Sequence, residues 1–360
     1  MDKIWWNHIT KAHKFLNDIV TAAIEGKSVI LSLPSNVPWH DTLIELMEEQ
    51  LKLENPKNSF DKISCPKEEV GLYLLNKYCK REKRATYRYG MTYAAFLGKS
   101  EDIVLNDRYI WVSDIPKSKY DEWIDFIVEY NKNVNIKTPA VFILETCDEN
   151  FVHKAKKGIK KILFEQNIDA YDKFAFCTLI ATENNCKEYM RPYLAELVSA
   201  ICKEDIELCA ECMAAGDRFL KKPTKVLQFI VENNHRSNGE KYQFSKNKEQ
   251  IKTLLWETQL KYVFPLIEKY RNYFISRYTT SIEKVLPFEN SYGESIQNPE
   301  EVEIGTLLYM VKSGAIVVSD KELKELECYR DARNKLAHLN ILKLDIVEQI
   351  IKRGNVLNRE

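Results

Sequence analysis

The sequence is short of the features that mark several large classes of protein. No apolar run approaches the ~20 residues that a bilayer-spanning helix needs. Met1 is followed by Asp2, Lys3 and an amphipathic stretch, not by the apolar core of a signal peptide. Neither charge is in excess, with 53 Lys and Arg against 53 Asp and Glu, so bulk electrostatics advertises neither a nucleic acid nor a membrane as partner. Any basic surface has to be local. The nine cysteines are odd in number and lack framework spacing. With the missing signal, that predicts reduced thiols and a cytoplasmic protein. Only Cys209 and Cys212 sit as a close pair, in a helical stretch, and no second pair or neighbouring His completes a zinc site. They read as small core residues, and no metal or cofactor is expected. Internal repeats and low-complexity tracts are also missing.

What is present is the balance of a globular protein, 45% apolar and 29% charged, over 360 residues. That length is comfortable for two domains. Ile9 to Ile24 carries apolar residues at helical spacing and stops at Gly26, a C′ residue by type. Val29 to Leu33 reads as a short buried strand, Pro34 to Pro38 as a loop, and Asp41 as the cap of a helix running towards Leu53. Further strands are expected at Ile63 to Cys65, Tyr109 to Ser113, Ala140 to Leu144 and Phe174 to Ile180, with a helix at Tyr120 to Tyr130. Strands separated by helices argue for a mostly parallel sheet covered on both faces. From 187 to 230 the pattern is helical throughout, and the polar stretch Glu232 to Lys248 reads as a linker. Beyond it lie a long helix from Lys248 to Tyr278, a loop over 285–300 marked by Pro287, Asn290, Gly293 and Pro299, a short helix from Val302 to Lys312, and helices around 320–340 and 342–353. The expected division is therefore an α/β domain over 1–186, a helical lid and linker over 187–244, and a helical domain over 245–360.

One basic run is local. Lys77, Lys80, Arg81, Lys83, Arg84 and Arg88 are interleaved with Tyr78, Tyr87 and Tyr89. Cations that follow phosphates and rings that stack on bases are what single-strand binding requires; the same pattern also suits a solvated helix face with tyrosines packed beneath it. His8, His13, His40, His153 and His235 share no ligand spacing and read as structural or surface residues.

The densest constellation lies near the C-terminus. Ser319 and Glu322 have the spacing of a capping box. In the helix they start, Leu326, Tyr329, Ala332, Leu336, Ala337 and Leu339 fall in one broad arc. Arg330, Asn334 and His338 form a polar stripe at i, i+4 and i+8. Arg333 lies inside the apolar arc, where an unpaired guanidinium is costly, so packing alone does not account for it. On an ideal helix Arg333 and His338 point about 140° apart, so they converge on one phosphate only if the helix ends near His338 or the Arg wraps back.

The run Tyr329-Arg330-Asp331-Ala332-Arg333-Asn334-Lys335-Leu336-Ala337-His338 resembles the Arg-Asn-x-x-Ala-His signature of HEPN domains, over residues 245–360. The resemblance implies a helical bundle, many examples of which are metal-independent ribonucleases, with Arg333, Asn334 and His338 catalytic and a site shared across a homodimer. Arg330 and Lys335, with Lys80, Arg81, Arg84 and Arg88, are the expected RNA contacts. The first two-thirds, with Asp114 ending Tyr109 to Ser113, resembles in layout a P-loop ATPase of the AAA or STAND kind. It departs from that pattern at the catalytic positions. Where Gly-x-x-x-x-Gly-Lys-Ser/Thr belongs, the chain reads Pro34-Ser35-Asn36-Val37-Pro38-Trp39-His40-Asp41, and Asp114 is followed by Ile115 and Pro116. Gly26-Lys27-Ser28 precedes the strand, and Gly98-Lys99-Ser100 lacks the earlier Gly. The expectation is a ribonuclease effector under a degenerate ATPase-like module that does not hydrolyse ATP. By analogy its setting is prokaryotic antiviral defence or a toxin system, with RNA as substrate and an operon partner protein. The rival expectation is a non-catalytic scaffold that dimerises through the helical bundle.

Overall fold

The computed structural model describes residues 1–88, 90–99, 105–135, 137–148, 150–151, 154, 156–164, 169–202, 205–289, 293 and 295–357. Tyr89, Ser100, His153 and Asn290, named above, lie outside that set. The chain divides into two compact units, Met1–Asp172 and Lys173–Glu360.

In the first unit, α1 (Asp2–His8) and α2 (Thr10–Ile24) lead to Gly26, whose φ of +71° turns the chain into the sheet. Gly adopts that conformation without the steric cost a Cβ imposes. Every residue of β1 (Ser28–Ser32) is buried, which places it centrally. There follow α3 (His40–Glu54), β2 (Ser59–Ser64), α4 (Val70–Tyr78), α5 (Arg81–Arg84), α6 (Tyr93–Lys99), β3 (Arg108–Ser113), α7 (Tyr120–Asn133), β4 (Val141–Thr146) and β5 (Ile159–Leu163). The sheet order is β2-β3-β4-β1-β5 and all four pairings are parallel. Helices have to cover both faces of such a sheet. On one face Trp123, Phe126 and Tyr130 of α7 close over Phe142; on the other, Trp6 and Phe15 meet Phe164.

One strand expectation and one cap are corrected, and one unexpected strand is added. Phe174 to Ile180 is not a strand but part of α8 (Ala170–Ile180). The Asp169 carboxylate accepts the Asp172 amide at 2.8 Å, an N-terminal capping contact that starts a helix where composition alone suggested a sheet. The fifth strand is instead Ile159–Leu163, where Lys160 and Lys161 interrupt the apolar run. It is an edge strand, and lysine is a usual guard there. Asp41 does not cap α3, because the helix starts one residue earlier and Trp39, at φ +45°, occupies the cap position.

The second unit is helical: α9 (Arg191–Ile201), α10 (Ile206–Ala215), α11 (Asp217–Lys221), α12 (Pro223–Asn233), α13 (Lys248–Glu283), α14 (Ile304–Lys312), α15 (Asp320–Ala337) and α16 (Leu344–Leu357). A capping box between Asn247 and Gln250 opens α13, which leaves helical geometry at Tyr278. The polar stretch before it is not loose. Arg236 is buried and pairs with Asp205 and with Glu207, at 3.7 Å to the latter, while Ser237 donates twice to Glu207 at 2.7 Å. A buried guanidinium persists only with such partners. No helix among the described residues is long and apolar enough to cross a membrane.

Candidate functional site

The Arg-Asn-x-x-Ala-His run occupies the last turns of α15. Its start is the expected capping box: the Glu322 amide donates to Ser319 Oγ at 3.3 Å, and the Ser319 amide donates to Glu322 Oε2 at 3.1 Å. Leu326, Tyr329, Ala332 and Leu336 are buried, and the Tyr329 ring stacks on Tyr270 of α13 with centroids 3.9 Å apart. Ala337 and Leu339 do not extend this face as expected. The helix ends at Ala337, His338 is the cap, and Leu339 turns away at φ +59° with 68% of its surface exposed. Asn340 N donates to Lys335 O at 2.9 Å and Leu339 N to Leu336 O at 3.2 Å. This is the Schellman pattern, with leucine where glycine is favoured. A left-handed leucine costs roughly 1–2 kcal/mol, so the turn has to be held from outside. Two side chains of α13 hold it. Trp256 Nε1 donates to Leu336 O at 2.9 Å, and the buried Gln259 accepts from Leu342 N at 2.7 Å while donating to Leu342 O at 3.2 Å.

The side chains expected to act are displayed on that turn. Arg333 is not buried: its side chain is 35% exposed and reaches Glu303, at the start of α14, at 3.4 Å. The wheel placed it in the apolar arc because angle alone ignores how far a long side chain extends past the core. A single pair this exposed contributes less than about 1 kcal/mol. Asn334 is half-buried and His338 exposed, and neither side chain has a hydrogen-bond partner among the described residues. Arg330 lies beside Asp331 at 3.2 Å, and Lys335 is exposed. Because the helix stops at Ala337, His338 is released from the fixed angular separation of an ideal wheel.

The basic run near residue 80 is divided by the fold. Lys80, Arg81 and Arg88 are exposed, whereas Arg84 donates to the Asn76 side chain at 3.1 Å. Tyr78 is a core residue under the Arg108 guanidinium, and Tyr87 stacks on Tyr93 at 4.8 Å. The described rings therefore face inward, and only the cations remain for a ligand.

In the first unit, the connections from β1 and β4 leave in opposite directions along the sheet. Their carboxyl ends form the crevice where open α/β sheets bind ligands. Here it holds a polar cluster. His40 bonds Glu145 Oε1 at 2.9 Å, and Trp111 Nε1 donates to Glu145 Oε2 at 2.8 Å. The Glu145 hydrogen bond raises the His40 pKa against the opposing effect of burial. A carboxylate with both oxygens engaged, behind a loop with two prolines, is a poor cradle for phosphates. His40 is thus half-buried and structural, one of the two roles expected of it, and only its partner, 105 residues away, was not legible in the sequence. Asp114 is exposed at φ +57° and accepts from Ser113 Oγ at 2.9 Å.

Cys209 and Cys212 are buried as expected, and the fold adds Cys177 and Cys202 to them. Cys202 Sγ lies 3.6 Å from Cys212 Sγ. Hydrogen bonding to Cys209, with burial, pushes the Cys177 and Cys202 thiols well up, and the same bonds pull Cys209 down. Among the described residues no three His, Cys, Asp or Glu donors are placed to hold a metal ion.

No family model matches the sequence, and no curated protein matches it. Among solved structures, the chain is similar to a RuvB variant of Thermotoga maritima, at 12% identity over 69% of this chain and 74% of that one, with a TM-score of 0.32. A likeness that low carries no argument. What stands is an α/β unit with a five-stranded parallel sheet, followed by a helical unit.

Proposed function

We propose that the helical unit is a HEPN-type, metal-independent endoribonuclease and that the α/β unit is a P-loop-ATPase-like sensing module without hydrolytic parts, the whole serving prokaryotic antiviral defence or a toxin system with a partner protein. The observation that carries this reading is the state of the motif. A structural Asn or His is normally buried or bonded, whereas Asn334 and His338 are held in place by their backbone turn and leave their side chains unbonded among the described residues. The chemistry is consistent. A ribose 2′-oxygen attacks the adjacent phosphorus, its proton passes to a base, and the departing 5′-oxygen takes a proton from an acid. His338 suits either transfer. Arg333 suits the phosphate, where bidentate hydrogen bonds offset the charge that develops. Asn334 orients one or the other, and Arg330 and Lys335 extend the cationic face, with Lys80, Arg81, Arg84 and Arg88 as a separate RNA contact. One Arg and one His per chain make a sparse site, so the reading includes a homodimer through the helical unit, an isologous contact being the commonest kind.

The test is incubation of the full chain with total or transfer RNA in EDTA. Cleavage is expected, and His338→Ala should lower its rate by roughly 10²–10⁴-fold, the usual worth of a positioned acid or base. Arg333→Ala should abolish it with little loss of stability. Wild-type rates in both variants would refute the assignment. Intact RNA at high protein concentration would favour the second reading, a scaffold. Tyr309 and Val317, 61% and 84% exposed, are the observation behind that reading, since they offer apolar surface to a partner.

A further inference from the structure

The helical unit contains a cavity of about 320 Å³ that the motif does not use. Its floor is apolar, made by Tyr193, Ile251, Leu255 and Leu342, and its rim carries Lys221, Lys248 and Lys252 beside Thr224. All three lysines are exposed, and none has an acidic partner within ion-pair distance among the described residues. Some cations of this unit are neutralised locally, as Arg236 is by Asp205 and Glu207 and Lys187 by Glu348; the three lysines instead border one opening. An anion in the opening would be attracted by the lysines on its rim. Two helices begin at the same rim, α12 at Pro223 and α13 at Lys248, and no side chain caps the first turn of α12. The Asn247–Gln250 capping box already occupies the first turn of α13, so the uncapped end of α12 is the one that adds positive field to the rim.

We propose that this cavity binds a nucleoside phosphate. Three lysines suit a phosphate group bearing two or more charges better than a single carboxylate. The apolar floor suits the faces of a base, and the volume lies at the small end of the ~300–1,000 Å³ range of ligand pockets, room for one ring system and its sugar. The same chemistry is offered by a free mononucleotide and by the phosphorylated end of an RNA.

The cavity wall also includes Ile341, Leu342 and Leu344, the segment that leaves His338. Through the Gln259–Leu342 pair, the floor and the end of α15 share one support. Occupancy therefore sets the rate of the proposed ribonuclease. This second clause rests on the reading given under Proposed function; the binding itself does not.

The test is equilibrium dialysis of the full chain against ATP, AMP, inorganic phosphate and a short 5′-phosphorylated RNA. Saturable binding of one nucleotide per chain is expected, and Lys221→Glu and Lys252→Glu should each weaken it by about tenfold or more, the equivalent of a lost charge-assisted contact. Leu255→Trp, which fills the floor, should weaken ATP and AMP while the melting temperature is retained. Binding of the RNA end alone, lost in the same variants, supports the site with RNA as the source of the phosphate. Absence of saturable binding, binding indifferent to both lysine reversals, or phosphate binding as tightly as AMP would overturn the proposal. Because the readout is binding, a protein that binds AMP yet cuts no RNA refutes the ribonuclease and leaves this site standing. RNA cleavage that AMP accelerates or slows in wild type, but not in Lys252→Glu, supports the regulatory clause, and cleavage unaffected by AMP refutes it.

Discussion

Gln259→Leu removes the one side chain that pairs with both the amide and the carbonyl of Leu342. The glutamine is 2% exposed and Leu342 5%, so water does not replace it without local opening. Leucine is close in size, and the change leaves little cavity. What is lost is two hydrogen bonds, at 2.7 and 3.2 Å, with both backbone groups left unpaired. An orphaned buried polar group costs about 1–3 kcal/mol. The turn at 338–342 is partly exposed and relieves some of the penalty by moving, so the net cost falls at about 2–4 kcal/mol. For a unit of this size each kcal/mol shifts the midpoint by about 2–4 °C, giving a drop of roughly 5–15 °C. Scanning calorimetry of the full chain reads it as a fall in one transition, with any transition of the α/β unit unmoved. If the proposed ribonuclease reading holds, the loss should also reduce RNA cleavage, since the freed segment is the one that follows His338. A midpoint within about 1 °C of wild type would show that Leu342 does not depend on this side chain, and that the support assigned to the motif is wrong.

The remaining expectations concern one buried ring and one histidine. Tyr329 is fully buried with its hydroxyl unbonded among the described residues, so Tyr329→Phe should be neutral or stabilise by up to ~1 kcal/mol, whereas Tyr329→Ala should cost about 3–5 kcal/mol in chemical denaturation. A large loss on Tyr329→Phe would reveal a partner for the hydroxyl. His40 is raised above its ordinary value of 6.5 in the folded state. Its contribution is therefore full below that value and is lost as pH rises through the folded pKa. Melting temperatures of wild type and His40→Gln should be furthest apart at acid pH and converge above neutrality; a gap that widens with pH would contradict the Glu145 assignment.

Much of the architecture was legible because it is written locally. The capping box of Ser319 and Glu322, the apolar rows of α2 and α7, the loop at Pro34 to Pro38 and the missing glycines of a phosphate loop are all properties of neighbouring residues. Errors arose where local signals tie or mislead. Phe174 to Ile180 is apolar enough for a strand or a buried helix, and only the Asp169 cap decides between them. Lys160 and Lys161 mask β5, because successive residues point to opposite faces and each face of this edge strand therefore carries one lysine beside one buried isoleucine.

By itself, the sequence determined the alternation of strands and helices, the absence of a Gly-x-x-x-x-Gly-Lys-Ser/Thr run after the first strand and the candidate trio Arg333, Asn334 and His338, since these depend on residue type and spacing along the chain. Tertiary structure alone decided that Arg333 meets Glu303 near the surface, that His338 ends its helix, that His40 finds Glu145, that four distant cysteines share one core, and that three lysines ring one cavity. Most of these join residues separated by tens of positions. Chain proximity says nothing about such pairs; the packing of apolar faces brings them together, and the polar groups then settle with the partners that packing supplies.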